Sequence, residues 1–153
     1  MQLYRPNVAA IVLSSSYPEK KQLFVAERSD MEGIWQFPQG GIDGTETPQE
    51  ALYRELKEEI GTKKVELIAE YPEWISYEFP EHAKEKMAPF LGQMQRYFLV
   101  RLIDDSKIKI DTKDAEFKDF KFVDLEVLFD MISHFKKPVY EQVIGHFKNE
   151  GYL

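Results

Sequence analysis

Residues 47–61, TPQEALYRELKEEIG, carry the start and stop signals of a single helix and constrain everything packed around it. Thr47 is an N-cap, Pro48 sits at the first helical position and Glu50 at the third, which makes a capping box. Gly61 is the C-terminal stop. On a helix over 48–60, Leu52, Leu56 and Ile60 recur at i, i+4 and i+8 and form an apolar stripe that needs a core. Glu55, Glu58 and Glu59 stand at i, i+3 and i+4 and form the neighbouring stripe. Like charges at that spacing repel by about 0.2–0.5 kcal/mol per pair. Two arrangements tolerate this: a solvated acidic face, or a divalent cation held among the carboxylates. Hard cations such as Mg²⁺ take oxygen ligands and keep several waters. A metal-bound water is a ready nucleophile, and the metal can hold phosphate oxygens.

The remaining pattern mixes strands and helices without regular alternation. Residues 8–14 form a short apolar run rich in β-branched side chains, and residues 22–28 read as its partner across a turn-rich connection. Residues 34–48 hold three glycines and two prolines and read mostly as loop. Residues 65–79 suggest strands broken near Pro72, residues 95–103 a further strand, and residues 117–124 alternate. The end reads helical, first around 125–132 and then from 138. In the last helix Tyr140, Val143, Ile144 and Phe147 share one face. There are no repeats, low-complexity tracts or linkers, so one domain over 1–153 is expected. The fold class is α+β, with a mixed sheet sandwiched between helices.

Composition narrows the function classes. A hydrophobic share of 43% and an aromatic share of 14% suit a globular core. No apolar run approaches a membrane span, and the N-terminus lacks the apolar stretch of a signal peptide. The absence of cysteine removes disulfides, thiolate metal sites and cysteine nucleophiles. A cytoplasmic location fits. The net charge of −7 argues against broad binding to duplex DNA or RNA, but not against a nucleotide whose charge a metal offsets.

The context of the glutamates is more specific. Gly40, five residues, Glu46, seven residues, Arg54-Glu55-Leu56, one residue, Glu58-Glu59, one residue, Gly61: eight positions over 22 residues resemble the Nudix box. Thr62 departs from it, where the family has a bulky aliphatic residue. The resemblance implies a Nudix fold, an α/β/α sandwich, and hydrolysis of diphosphate bonds with Mg²⁺ or Mn²⁺. Carried onto this chain, it makes Glu55, Glu58 and Glu59 metal ligands, one of them doubling as the base. Arg54 becomes an orienting partner of a box glutamate. Gly40 becomes the point where backbone approaches the metal.

Outside the box, "YRPNVAAIV", "WQFPQGG", "GQMQRYFLV", "AEF" and "FKKPVYEQVI" resemble the bacterial RNA pyrophosphohydrolase and dinucleoside polyphosphate hydrolase group. That implies removal of pyrophosphate from 5′-triphosphate RNA, a step in mRNA decay, or cleavage of diadenosine tetraphosphate. A silent Nudix domain that senses a nucleotide is the other class, disfavoured by three intact box glutamates. On this resemblance Glu116 is a fourth carboxylate, a metal ligand or base, although its spacing alone reads as a loop glutamate. Arg28 could bind phosphate oxygens bidentately, or pair with Glu27 or Asp30 on the surface. Lys136, ahead of the last helix, could reach terminal phosphates. Tyr77 could stack a purine or belong to the sheet. Gln95 offers an amide to base or phosphate, as does Gln93. Trp35 and Phe37 read as packing under the loop, Tyr97 and Phe98 as core. The three histidines form no ligand pattern. A monomer is expected.

Overall fold

The computed structural model describes residues 3–153. Its chain order is β1 (Tyr4–Leu13), β2 (Leu23–Arg28), β3 (Trp35–Gln36), β4 (Gln39–Gly41), α1 (Pro48–Ile60), β5 (Val65–Glu70), β6 (Ile75–Glu78), α2 (Glu81–Met87), β7 (Gly92–Leu102), β8 (Phe117–Val123), α3 (Leu125–Met131) and α4 (Lys137–Asn149). A 3-10 turn spans Asp105–Lys107. The strands form one mixed sheet with a central path β3-β2-β1-β7-β5, to which β4 adds on β1, β6 on β7 and β8 on β2.

The axis of the sheet is the parallel pair β1–β7, in register from Tyr4↔Gly92 to Leu13↔Arg101. Both strands alternate between two apolar layers, as a sheet covered on both faces requires. Ala9, Ile11, Leu13, Tyr97 and Leu99 point to one layer, which also holds Val139, Tyr140, Val143, Ile144 and Phe147 of α4. Val8, Ala10, Val12, Phe98 and Val100 point to the other, which holds Leu52, Leu56 and Ile60 of α1. Each of those three α1 side chains is at most 1% exposed, and each contributes about 1.5–3 kcal/mol by leaving water.

The helix over 48–60 forms with the expected bounds. Thr47 Oγ1 accepts from the Glu50 amide, and Glu50 Oε1 accepts from the Thr47 amide. Gly61 adopts φ 80°, which a side chain would resist. Other boundaries move. The first strand begins at Tyr4 rather than residue 8, because its opening residues pair with β7 despite their polar character. The glycine-rich loop contains two short strands, β3 and β4, held by β2 and β1. Helix α2, between β6 and β7, has no buried residue and left no periodic trace in the sequence.

Candidate active site

The carboxylates of α1 do not share one environment. Glu58 is exposed, Glu55 is partly covered, and Glu59 is only 7% exposed. A solvated acidic face therefore does not describe Glu59. Its Oε2 accepts from the Gln39 amide at 3.2 Å, across from β4. Burial, then the charge of Glu55, then that of Glu116 push its carboxyl well above the usual range. Burial also raises Glu55, partly offset by Arg54.

Arg54 restrains this cluster. Its Nε and Nη2 donate to both oxygens of Glu46 at 2.8 and 2.9 Å, Nη1 reaches Glu55 at 2.8 Å and Glu58 at 3.3 Å, and Nη2 also donates to the Gly41 carbonyl at 2.8 Å. The orienting role expected of Arg54 has this geometry. Glu46 is held down to about 2, chiefly by its hydrogen bonds from Arg54. With Glu55 and Glu58 turned toward Arg54, no group of three or more His, Cys, Asp or Glu side chains among the described residues is gathered as a cation cage.

Glu116 arrives from the other side. The pairing of β2 with β8 is irregular between Glu27 and Arg28, and the Ser29 amide donates to the Glu116 carbonyl at 2.9 Å. This places Arg28 and Glu116 on one cleft of about 770 Å³ with Gly40, Glu55, Glu58 and Glu59. Arg28 makes the surface pairing that was its alternative reading, with Nε and Nη2 on the two oxygens of Asp30 at 2.8 and 2.7 Å. It remains one-third exposed and faces the cleft. Three cations on the same walls, Arg5, Lys57 and Lys113, were not singled out in the sequence. "YRPN" marks Arg5; Lys113 sits in a segment without a periodic or motif signal.

The other expected substrate residues lie one layer deeper. Lys136 immediately precedes α4 and is 4% exposed; its Nζ donates to Gln39 Oε1 at 2.7 Å and stands 5.7 Å over the Tyr77 ring. Desolvation, then repulsion from Arg28, lowers Lys136 to about 7. Gln95 is 0% exposed. Its Nε2 donates to Asn7 Oδ1 at 2.8 Å and to Gln39 Oε1 at 3.1 Å, and its Oε1 accepts from Tyr97. Gln95 itself is not on the cleft wall; its amide meets Asn7 and Gln39, which both line the cleft. Tyr77 donates to Gln93 Oε1, and its ring packs against those of Phe79 and Phe135. Gln93 does line the cleft.

Phe37 is core, as expected, and Trp35 packs against it with Lys121 over its ring. His134 bonds the Trp35 carbonyl through Nε2 at 2.8 Å, and burial lowers its pKa.

An acidic cluster facing guanidinium and ammonium groups across a cleft suits a polyphosphate held through a cation. The family model of the NUDIX domain matches residues 3–143. The chain belongs to the Nudix family. It is 60% identical over 150 residues to the RNA pyrophosphohydrolase of a Nitratiruptor species, covering 98% of this chain and 97% of that protein. The RNA pyrophosphohydrolase of Helicobacter pylori is 55% identical, with 98% and 97% covered. Among solved structures, the E. coli dihydroneopterin triphosphate pyrophosphohydrolase superposes with a TM-score of 0.73 at 20% identity, covering 94% of this chain and 99% of that one. This α+β Nudix fold is therefore found well beyond close relatives.

Nudix hydrolases generally use divalent metal ions, and the residues present suit one. The donor set is all hard oxygen: the carboxylates of Glu55, Glu58, Glu59 and Glu116. Gly40 leaves a cradle, since a Cβ built there would collide with the carboxyl group of Glu55. Glu55 and Glu59, both penalised by burial, are the groups that a cation would favour in their charged form. Among the described residues, no helix is long and apolar enough to cross a membrane.

Proposed function

We propose that this chain is a single-domain, monomeric RNA pyrophosphohydrolase that removes pyrophosphate from 5′-triphosphate RNA and leaves a 5′-monophosphate. The observation that carries the reading is the cleft itself, where Glu55, Glu59 and Glu116 face Arg28 and Arg5. The same name stands on relatives 60% identical over nearly the whole chain.

Glu55, Glu58, Glu59 and Glu116, with the backbone at Gly40, would hold Mg²⁺, or Mn²⁺ in its place. Bound there, the cation offsets phosphate charge and acidifies a water. The residues of the chain do the rest. A carboxylate of the set takes the proton of the attacking water as its oxygen bonds to phosphorus. The anhydride P–O bond breaks and pyrophosphate leaves with the electron pair. Arg28 and Arg5 stabilise charge on the phosphoryl oxygens. Arg54 keeps Glu55 and Glu58 oriented from behind. Lys136, Tyr77 and Gln95 supply the deeper polar contacts. The acidic surface limits contact to the 5′ end of a single strand.

A competition assay tests this. Triphosphate RNA and diadenosine tetraphosphate are mixed with Mg²⁺ and enzyme, beside the Glu59→Gln variant. Conversion of the RNA to its 5′-monophosphate form should dominate and vanish in the variant. Preferential cleavage of the dinucleotide would instead assign dinucleoside polyphosphate hydrolysis, and cleavage of neither would turn the search to other nucleotide substrates and then to a nucleotide sensor.

A further inference from the structure

Lys136 is buried at 4% exposure, and among the described residues its ammonium has one hydrogen-bond acceptor, the neutral amide oxygen of Gln39 at 2.7 Å. An ammonium has three N–H donors and ordinarily takes a carboxylate or phosphate when buried. Among the described residues no carboxylate pairs with it. Gln95 Nε2 points at the same Gln39 oxygen from 3.1 Å, and the Tyr77 hydroxyl, which donates to Gln93, lies beside the Gln39 amide. Two donors, one of them cationic, thus converge on a single uncharged oxygen. That donor set is built for an anion.

Gln39 is placed to give way. It is partly exposed and lines the cleft, so its side chain has open space to swing into. The tie of residue 39 to Glu59 runs through the backbone amide, and the pairing of β4 with β1 fixes the backbone at Ala9↔Gln39. Moving the side chain therefore disturbs neither.

We infer that Gln39 is a displaceable plug and a further specificity-determining residue: its amide oxygen stands where a terminal phosphate of the substrate binds, and leaves when that phosphate arrives. The inference rests on the phosphohydrolase reading above. Displacement favours the more highly charged competitor. A terminal phosphate approaches two negative charges near neutral pH, whereas each bridging phosphate of a dinucleoside polyphosphate carries one. The plug thus selects substrates with a free phosphate end, such as triphosphate RNA, over capped ones.

Two variants and a ligand that is not a nucleotide test it. Inorganic tripolyphosphate is titrated against wild type, Gln39→Ala and Gln39→Glu, and binding is read by calorimetry and by the shift in Tm. Gln39→Ala should bind tripolyphosphate at least threefold more tightly. It should also lower KM for diadenosine tetraphosphate more than for triphosphate RNA. Gln39→Glu places a fixed anion on Lys136, so it should weaken tripolyphosphate at least tenfold while raising the Tm of the free protein. Unchanged or weaker binding in Gln39→Ala, undiminished binding in Gln39→Glu, or no binding to wild type would overturn the inference. If the variants behave as expected with tripolyphosphate but triphosphate RNA is not converted, the plug stands and the RNA assignment falls.

Discussion

The carboxyl group of Glu55 fills the space that a side chain at position 40 would need. β4 and α1 can approach this closely only because residue 40 is glycine. Gly40→Ala should push Glu55 aside while leaving the core of the sheet intact. A displacement near 1 Å at a reacting centre costs on the order of 10²-fold in rate. The expected result is a kcat/KM loss of that order with an unchanged far-UV circular dichroism spectrum; a variant with wild-type kcat/KM would remove Gly40 from the site.

Glu59→Gln should separate stability from activity. The buried carboxylate carries a desolvation cost that a neutral amide avoids. The variant should melt at or above the wild-type Tm in the absence of divalent cations. It should also lose most of the stabilisation that Mg²⁺ gives wild type, and on the order of 10²–10⁴ in kcat. Differential scanning calorimetry with and without Mg²⁺ checks the first two, and equal Mg²⁺ shifts in both proteins would remove Glu59 from the metal set.

Lys136 gives a pH signature. Its folded pKa is lowered to about 7 from 10.5, so between those values the unfolded chain binds more protons than the folded one. Stability of wild type should therefore rise with pH across that window, by at most about 1.4 kcal/mol per unit, and the cost of burying the ammonium is fully present below pH 7. Lys136→Met removes the titrating group. Urea midpoints at pH 7, 8 and 9 should climb more steeply in wild type than in the variant, and the variant should be the more stable at pH 7 while losing activity. Parallel curves would contradict the assignment.

Tyr140 anchors the glycine-rich segment from beneath. Its hydroxyl accepts from the Phe37 amide at 3.2 Å, and its ring lies 4.4 Å from that of Phe37. Tyr140→Phe keeps the packing but strands a buried donor, at a cost of about 1–3 kcal/mol. Chemical denaturation should show that loss, together with faster amide exchange at Phe37; a stability change below about 0.5 kcal/mol would indicate that the amide has another partner.

Glu55, Glu58, Glu59 and Arg54 were legible in the sequence because one helix brings them together, and helix periodicity is local. The caps at Thr47 and Gly61 set its bounds by short-range hydrogen bonds and backbone sterics alone. Strands β1, β2 and β7 were equally visible as apolar runs, since a strand buried on both faces needs no partner to be recognised. What the sequence could not state was depth. Glu55, Glu58 and Glu59 look alike on a helical wheel, yet only the approach of β4 buries Glu59 and leaves Glu58 in water. Arg28 and Glu116 lie far apart in the chain and meet only through the irregular β2–β8 pairing. Lys136 and Gln95 carry the residue types of surface ligands, but α4 and the sheet close over them, and both donate to Gln39, Gln95 to Asn7 as well. Periodicity is a property of neighbours in the chain; burial and charge coupling depend on which distant segments pack together, and only the tertiary structure decides that.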